Sequence, residues 1–300
     1  MTHVPVLLDA VLEGLALGLG SVAVDCTFGR GGHTRAMLAR IGPAGRVVAI
    51  DRDPDAIRAG LLFRDPRLEL VHARFDALGA ICEERGLVSS VDGVLFDLGV
   101  SSPQLENPAR GFSIRREGPL DMRMDPGDGE PVGAWLARVS ERELAGVIAR
   151  YGEERRARRI AAAIVRERPV ATTAELAAVV ERAAPSREAS IHAATRTFQA
   201  LRIHANREIE CLEAALPAAV EVLKPGGRIA VISFHSLEDR VAKRFFRAES
   251  REVPGPRGLP SPRRPRMRVV AARVRPTSCE VAANPRSRSA VLRVAERVAE

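Results

Sequence analysis

No run in the 300 residues approaches the ~18 uncharged apolar positions that a membrane-spanning helix needs, so no helical span is expected. The opening Met1-Thr2-His3-Val4-Pro5 lacks the basic start and cleavage site of a secretory leader, which makes the cytoplasm the expected compartment. Four cysteines, Cys26, Cys82, Cys211 and Cys279, are scattered and form no CxxC pair. They suggest neither a zinc site nor a disulfide framework, and buried or inert thiols are expected. The six histidines show no metal-ligand spacing such as HxxxH, so no metal is expected, and residue order alone supports no Ser–His–Asp triad. There is no internal repeat. Lysine is nearly missing: among 46 basic residues only Lys224 and Lys243 are lysine. Arginine suits bidentate phosphate contacts, although the alanine-rich composition makes genomic bias an equal explanation of that ratio.

What is present belongs to an ordinary packed protein. Hydrophobic residues make up 46% and charged residues 28%, enough for one large domain or two modest ones. A net charge of +8 suggests a polyanionic partner. The first hundred residues alternate β-rich and helical runs. Strands are expected at Val22–Asp25, Arg46–Asp51, Leu68–Val71 and Gly93–Asp97, with Asp53-Pro54 capping and starting a helix after the second. This alternation predicts a parallel sheet covered on both faces. It then stops for about a hundred residues, longer than an ordinary crossover. Capping boxes at Ser140–Glu143 and Thr172–Glu175 mark helices in that segment. One long helix is expected from Thr195 to Leu216, then a fifth strand at Arg228–Ser233 after Leu223-Lys-Pro-Gly-Gly227, and a helix at Ser236–Phe246. Arg268–Val274 and Ser289–Val294 can pair as closing strands. The expected fold is therefore α/β: a Rossmann-like sheet in residues 1–104 and 196–300, with a helical insertion over 105–195.

Chemistry-bearing residues gather at the strand ends. Asp25-Cys-Thr-Phe-Gly-Arg-Gly-Gly-His33 lies where strand one turns into a helix, and its glycines can admit a cofactor to a helix N-terminus. Asp51 ends the next strand, twenty residues after Gly31, where an acid can accept both hydroxyls of a ribose. NAD and S-adenosylmethionine both suit that pattern. The absence of GxGxxG, the helix–LKPGG–strand unit and the terminal hairpin favour the methyl donor. Asp97, at the end of strand four, can accept a hydrogen bond from an exocyclic amine and aim its lone pair at the methyl group. His33 and His235 lie on candidate site loops. Arg155-Arg-Ala-Arg-Arg159 and the Arg-rich stretch 251–275 are candidate phosphate contacts, or solvated faces.

Several motifs combine into a resemblance. Among them are Thr27-Phe-Gly-Arg-Gly-Gly-His33, Asp97-Leu-Gly-Val-Ser-Ser-Pro-Gln104, Gly118-Pro-Leu-Asp-Met-Arg-Met124, Thr197-Phe-Gln-Ala-Leu-Arg202 and Ser233-Phe-His-Ser-Leu-Glu-Asp239. They resemble the RsmH (MraW) family of bacterial 16S rRNA methyltransferases, from about residue 2 to 297. The resemblance implies a Rossmann-like class I methyltransferase sheet whose 105–195 insertion helps bind substrate. It also implies N4-methylation of a decoding-centre cytosine, C1402, with S-adenosyl-L-methionine as donor and 16S rRNA or the small subunit as partner. Carried over position by position, it implies donor binding by Gly31, Gly32, His33, Asp51, Phe75, Asp97 and Gln104, with Asp97 also catalytic. The Pro/Arg loop 252–266 aligns with nothing. Two rival readings are an NAD-dependent dehydrogenase and a catalytically idle RNA-binding platform. Strand four's loop, 97–104, contains no cysteine for a covalent carbon-5 mechanism, which favours N4 as the target.

Overall fold

Seven apolar runs become strands: β1 (Val22–Asp25), β2 (Arg46–Asp51), β3 (Leu68–His72), β4 (Val91–Asp97), β5 (Leu223–Ser233), β6 (Met267–Val274) and β7 (Val291–Arg297). The computed structural model describes residues 5–186, 192–252 and 264–299. The strands form one sheet in the order β3-β2-β1-β4-β5-β7-β6. The first five are parallel, β7 runs antiparallel to β5, and β6 antiparallel to β7. This is the expected Rossmann-like class I methyltransferase sheet.

Its helices are α1 (Leu8–Leu15), α2 (Gly32–Ile41), α3 (Pro54–Gly60), α4 (Leu78–Glu84), α5 (Ser102–Glu106), α6 (Val132–Arg138) and α7 (Glu141–Gly152). They continue with α8 (Ala157–Arg166), α9 (Thr173–Ala183), α10 (Thr195–Asn206), α11 (Glu208–Val222), α12 (Ser236–Glu249) and α13 (Ser278–Ala283). None of these is long and apolar enough to cross a membrane.

Strand alternation sorts the sheet's side chains into two cores. Val24, Val48, Ile50, Val94, Phe96 and Val231 meet α4, α11 and α12 on one face. Ala23, Val47, Ala49, Leu95, Ala230 and Ile232 meet α1, α2 and α3 on the other. Near-continuous apolar runs such as Val22–Asp25 follow from burial on both faces. Asp53 caps α3 as its sequence suggests, accepting from the Asp55 amide at 2.9 Å with Pro54 at the first position.

The chain divides into two compact units: Met1–Gly99 with Ile209–Glu300, and Val100–Glu208. The second unit extends past the 105–195 segment read from sequence at both ends, at the C-terminal end because α10 packs on α7. Within it, α7, α8 and α9 pack in succession around Leu144, Ile148, Ile160, Ile164, Leu176 and Val180. Thr172 and Glu175 form the full reciprocal box at the start of α9. At α7 the Ser140 side chain accepts from the Glu143 amide at 3.2 Å.

Three local expectations change. The long helix over Thr195–Leu216 is two helices, broken at Arg207, whose φ of 52° is left-handed. The side chain of Asn206 explains the break. It is buried, accepts from the Met124 amide at 2.7 Å and donates to the carbonyls of Met122 at 2.7 Å and Arg202 at 2.8 Å. It thereby ties the Gly118–Met124 motif to the end of α10. Second, α11 runs past Leu216 through Pro217 to Val222. The lost helical hydrogen bond is tolerated where Leu216, Ala219 and Val220 are buried in the sheet core. Third, β5 already pairs at Leu223, opposite Val91, and its register slips before Arg228 meets Gly93, so Lys224–Gly226 project outward from the strand. The closing pair forms, but β7 starts at Val291, because Pro285–Ser289 is a 3₁₀ turn. His3 and most of loop 252–266 lie outside the described residues.

Asn206→Ala should destabilise the protein by about 2–3 kcal/mol, since it strands the buried Met124 amide. Urea denaturation at neutral pH measures this; a change under about 0.5 kcal/mol, the range of ordinary surface substitutions, contradicts the anchoring role.

Candidate active site

Because β1 to β5 are parallel, their carboxyl ends share one edge of the sheet, and three acids close strands there: Asp25, Asp51 and Asp97. Asp25 is 1% exposed. It accepts from the Thr34 hydroxyl at 2.6 Å and the Thr27 amide at 3.1 Å. Burial nonetheless pushes its pKa up, against those hydrogen bonds. Thr27 links this buried acid to the third strand end. Its hydroxyl accepts from the Asp97 amide at 2.7 Å and lies 3.4 Å from Asp25 Oδ1, to which it can donate.

Asp51 accepts one backbone amide on each oxygen, Gly29 at 2.7 Å and Asp53 at 2.8 Å. Burial pushes its pKa up to about 6, with the two amides opposing the shift. Each oxygen retains lone-pair capacity for a further donor.

His33, in the first turn of α2, is 5% exposed. Its Nε2 lies 3.5 Å from Asp97 Oδ2, too long for a well-formed hydrogen bond. Burial disfavours the imidazolium, but the carboxylates of Asp97 and Asp25 outweigh it and raise the His33 pKa. Both ring nitrogens and Asp97 Oδ1 are buried without a hydrogen-bond partner among the described residues. Asp97 keeps 26% of its side chain exposed, so the cluster opens to solvent through this acid.

The glycines divide the work. Gly31 (φ 69°) and Gly32 make room for packing: a Cβ would come within 2.5 Å of the Phe63 ring at the first and 2.4 Å of Pro5 at the second. Gly29 (φ 55°) is the open one, its nearest obstacle the Thr27 carbonyl at 3.8 Å. Gly31 is also the N-cap of α2 and supplies no side-chain cap, which leaves first-turn amides available to a ligand. Phe75 follows β3, half-buried, and packs edge-on against Phe96 with centroids 5.7 Å apart.

Gly31, Gly32, His33, Asp51, Phe75 and Asp97 thus lie at the carboxyl edge of one unit. Gln104 belongs to the other unit. There it completes a capping box on α5, its amide oxygen accepting from the Ser101 amide at 2.8 Å. His235 has a local role as N-cap of α12, paired reciprocally with Glu238. Asp25, Thr27 and Thr34 were not among the site residues read from sequence. The polar residues of a D-x-T…H-T pattern in an apolar strand–helix turn were the available signal. Cys26, Cys82 and Cys211 are buried, and burial pushes all three thiols up, Cys82 and Cys211 to about 11. No thiolate nucleophile is offered by these three.

A sequence model of the MraW methylase family matches residues 1–298. The chain belongs to the MraW methylase family. Relatives named "Ribosomal RNA small subunit methyltransferase H" align along nearly their whole length. That of Thiobacillus denitrificans is 53% identical over 305 residues, covering 99% of this chain and 98% of the relative. That of Azoarcus sp. is 54% identical over 304 residues, covering 99% and 97%. The dehydrogenase reading of the glycine loop is set aside for this methylase.

Thr34→Val in the methylase should cost about 1–3 kcal/mol at neutral pH, since a buried carboxylate loses a charge-assisted donor. The deficit should narrow as pH falls and Asp25 takes up a proton. Thermal melts across pH test this; a pH-independent deficit assigns the effect to packing alone.

Proposed function

We propose that this methylase transfers a methyl group from S-adenosylmethionine to N4 of a cytosine in the decoding centre of 16S rRNA, C1402 by resemblance, in the cytoplasm. The observation that carries the reading is Asp97: an acid at the end of β4, partly exposed, with a buried oxygen that has no partner among the described residues. Around it, the open Gly29 and the Asp51 carboxylate suit a cationic nucleoside donor, and the uncapped α2 N-terminus suits that donor's own carboxylate group. Gly31, Gly32 and His33 would form the turn beneath the donor, Asp51 would accept its ribose hydroxyls, and Phe75 would flank its adenine. Gln104 is assigned to the donor site on the resemblance alone. When bound, S-adenosylmethionine supplies an electrophilic methyl group on a sulfonium. The 100–208 unit is assigned to RNA binding.

Cytosine N4 is a poor nucleophile because its lone pair is delocalised into the ring. Asp97 accepts one N4–H, which favours the pyramidal nitrogen whose lone pair is free. It holds that nitrogen in line, and alignment supplies much of the rate. With His33 beside it, the Asp97 carboxylate has a neighbour that can share positive charge as the N4 proton is released.

Two measurements test the reading. Ribose hydroxyls bind the ionised form of Asp51, whose free carboxyl titrates at about 6. Donor affinity should therefore be full above about pH 7 and fall roughly tenfold by pH 5, following the lost carboxylate. Calorimetry checks this; Asp51→Asn should bind weakly and without that pH dependence, and a flat wild-type profile would contradict the ribose assignment. Asp97→Asn should lower turnover by roughly 10²–10⁴, the range for a lost positioned acid–base group. Nucleoside mass spectrometry of methylated small-subunit RNA should find the label in N4-methylcytidine; label only in 5-methylcytidine or a ribose-methylated nucleoside would falsify the target atom.

A further inference from the structure

On the methyltransferase-sheet unit, α12 and the edge strand β6 bound a groove of about 330 Å³ that has no role in the site described above. Its cationic lining is Lys243, Arg247, Arg251 and Arg293, and its apolar lining includes Phe246 and Val269. Basic helix faces are commonly only solvated. This one differs in how its acids are disposed. Glu238 is buried in the cap of α12, Asp239 holds Arg293 through two hydrogen bonds of 2.8 and 3.0 Å, and Glu249 is buried against Arg266 at 2.8 Å. Glu252, exposed at the end of this segment, is the remaining acid between 236 and 252. Lys243, Arg244, Arg247 and Arg251 are exposed, and none of them has an acidic partner among the described residues. The Ser250 hydroxyl, also lining the groove, is buried without a hydrogen-bond partner among those residues.

The geometry points to this groove as a docking track for an RNA phosphate backbone, remote from the methylated nucleotide. The inference rests on the proposed RNA substrate and adds where the strand runs. Helix α12 begins just after β5, whose carboxyl end adjoins that of β4: the Leu98 amide donates to the Ile232 carbonyl at 3.0 Å. From that edge, Lys243 and Arg247 lie one turn apart on α12, about 6 Å at ~1.5 Å per residue, and Arg251 follows just past the helix end at Glu249, so the cations lead away from Asp97. Phosphates meet Lys243, Arg247 and Arg251, the Ser250 hydroxyl offers a donor, and the apolar lining takes sugar or base surface.

The test uses the full chain with Lys243→Gln, Arg247→Gln and Arg251→Gln combined, and a charge-keeping control with Lys243→Arg, Arg247→Lys and Arg251→Lys. Binding to a 16S rRNA fragment is measured over a salt series, alongside donor affinity and melting temperature. With its three phosphate-binding cations neutralised, the Gln variant should bind RNA on the order of 10- to 50-fold more weakly near 0.15 M salt, with a log–log salt slope shallower by about 2. Donor affinity and melting should match wild type, and the control should stay within about threefold of wild-type RNA affinity, since charge dominates such interactions. Unchanged RNA affinity and slope in the neutral variant overturn the track while leaving the RNA substrate intact. Loss of donor binding or folding in that variant makes the cations structural and also overturns it. Failure of the wild-type protein to bind the RNA overturns the substrate reading on which the track depends.

Discussion

A carboxylate can be buried only if donors surround it, and the carboxyl edge of this sheet is organised around that constraint at Asp25. Thr34, in the first turn of α2, reaches back to donate to it, so the strand-to-helix turn must bring residues 25 and 34 together. That closure places Gly31 and Gly32 against Phe63 and Pro5 and brings His33 beside Asp97. Thr27 extends the same network sideways to β4 by accepting from the Asp97 amide. The glycine loop is thus as much a packing device as a ligand cradle.

The neighbouring acids sit in distinct environments along that edge. Asp25 is sealed and has its donors inside the protein. Asp51 is held by two amides, yet burial keeps its pKa near 6. Asp97 reaches solvent and has an oxygen without a partner among the described residues. The three acids therefore differ in burial, though each simply ends a strand.

In the Val100–Glu208 unit a neutral amide has the organising role that a carboxylate has in the sheet. Asn206 joins the end of α10 to the Met122 and Met124 backbone, and Arg110 donates to the carbonyls of Arg123 and Met124 at 3.1 and 2.7 Å. A loop rich in glycine and arginine thereby acquires a defined path without regular secondary structure. Of the arginine cluster 155–159, Arg156 is drawn into contacts with Glu154 and the Pro185 carbonyl, while Arg158 and Arg159 remain exposed.

The sequence alone determined the sheet's strands, the caps at Asp53 and Thr172, and the acids at the ends of β2 and β4. These features are local: a period of two, a capping residue and a glycine turn are each written within a few consecutive positions. The motifs also carried the family. The sequence did not disclose the break at Arg207, because a helical apolar pattern continues through it and only the distant Met122–Met124 backbone draws Asn206 out of register. Nor did it mark Thr34 as the partner of Asp25, or set Lys243, Arg247 and Val269 around one groove. Those juxtapositions depend on how the turn closes and on which edge β6 joins. Tertiary packing decided them, since burying a charge or opening a groove requires atoms from segments that the linear pattern does not place together.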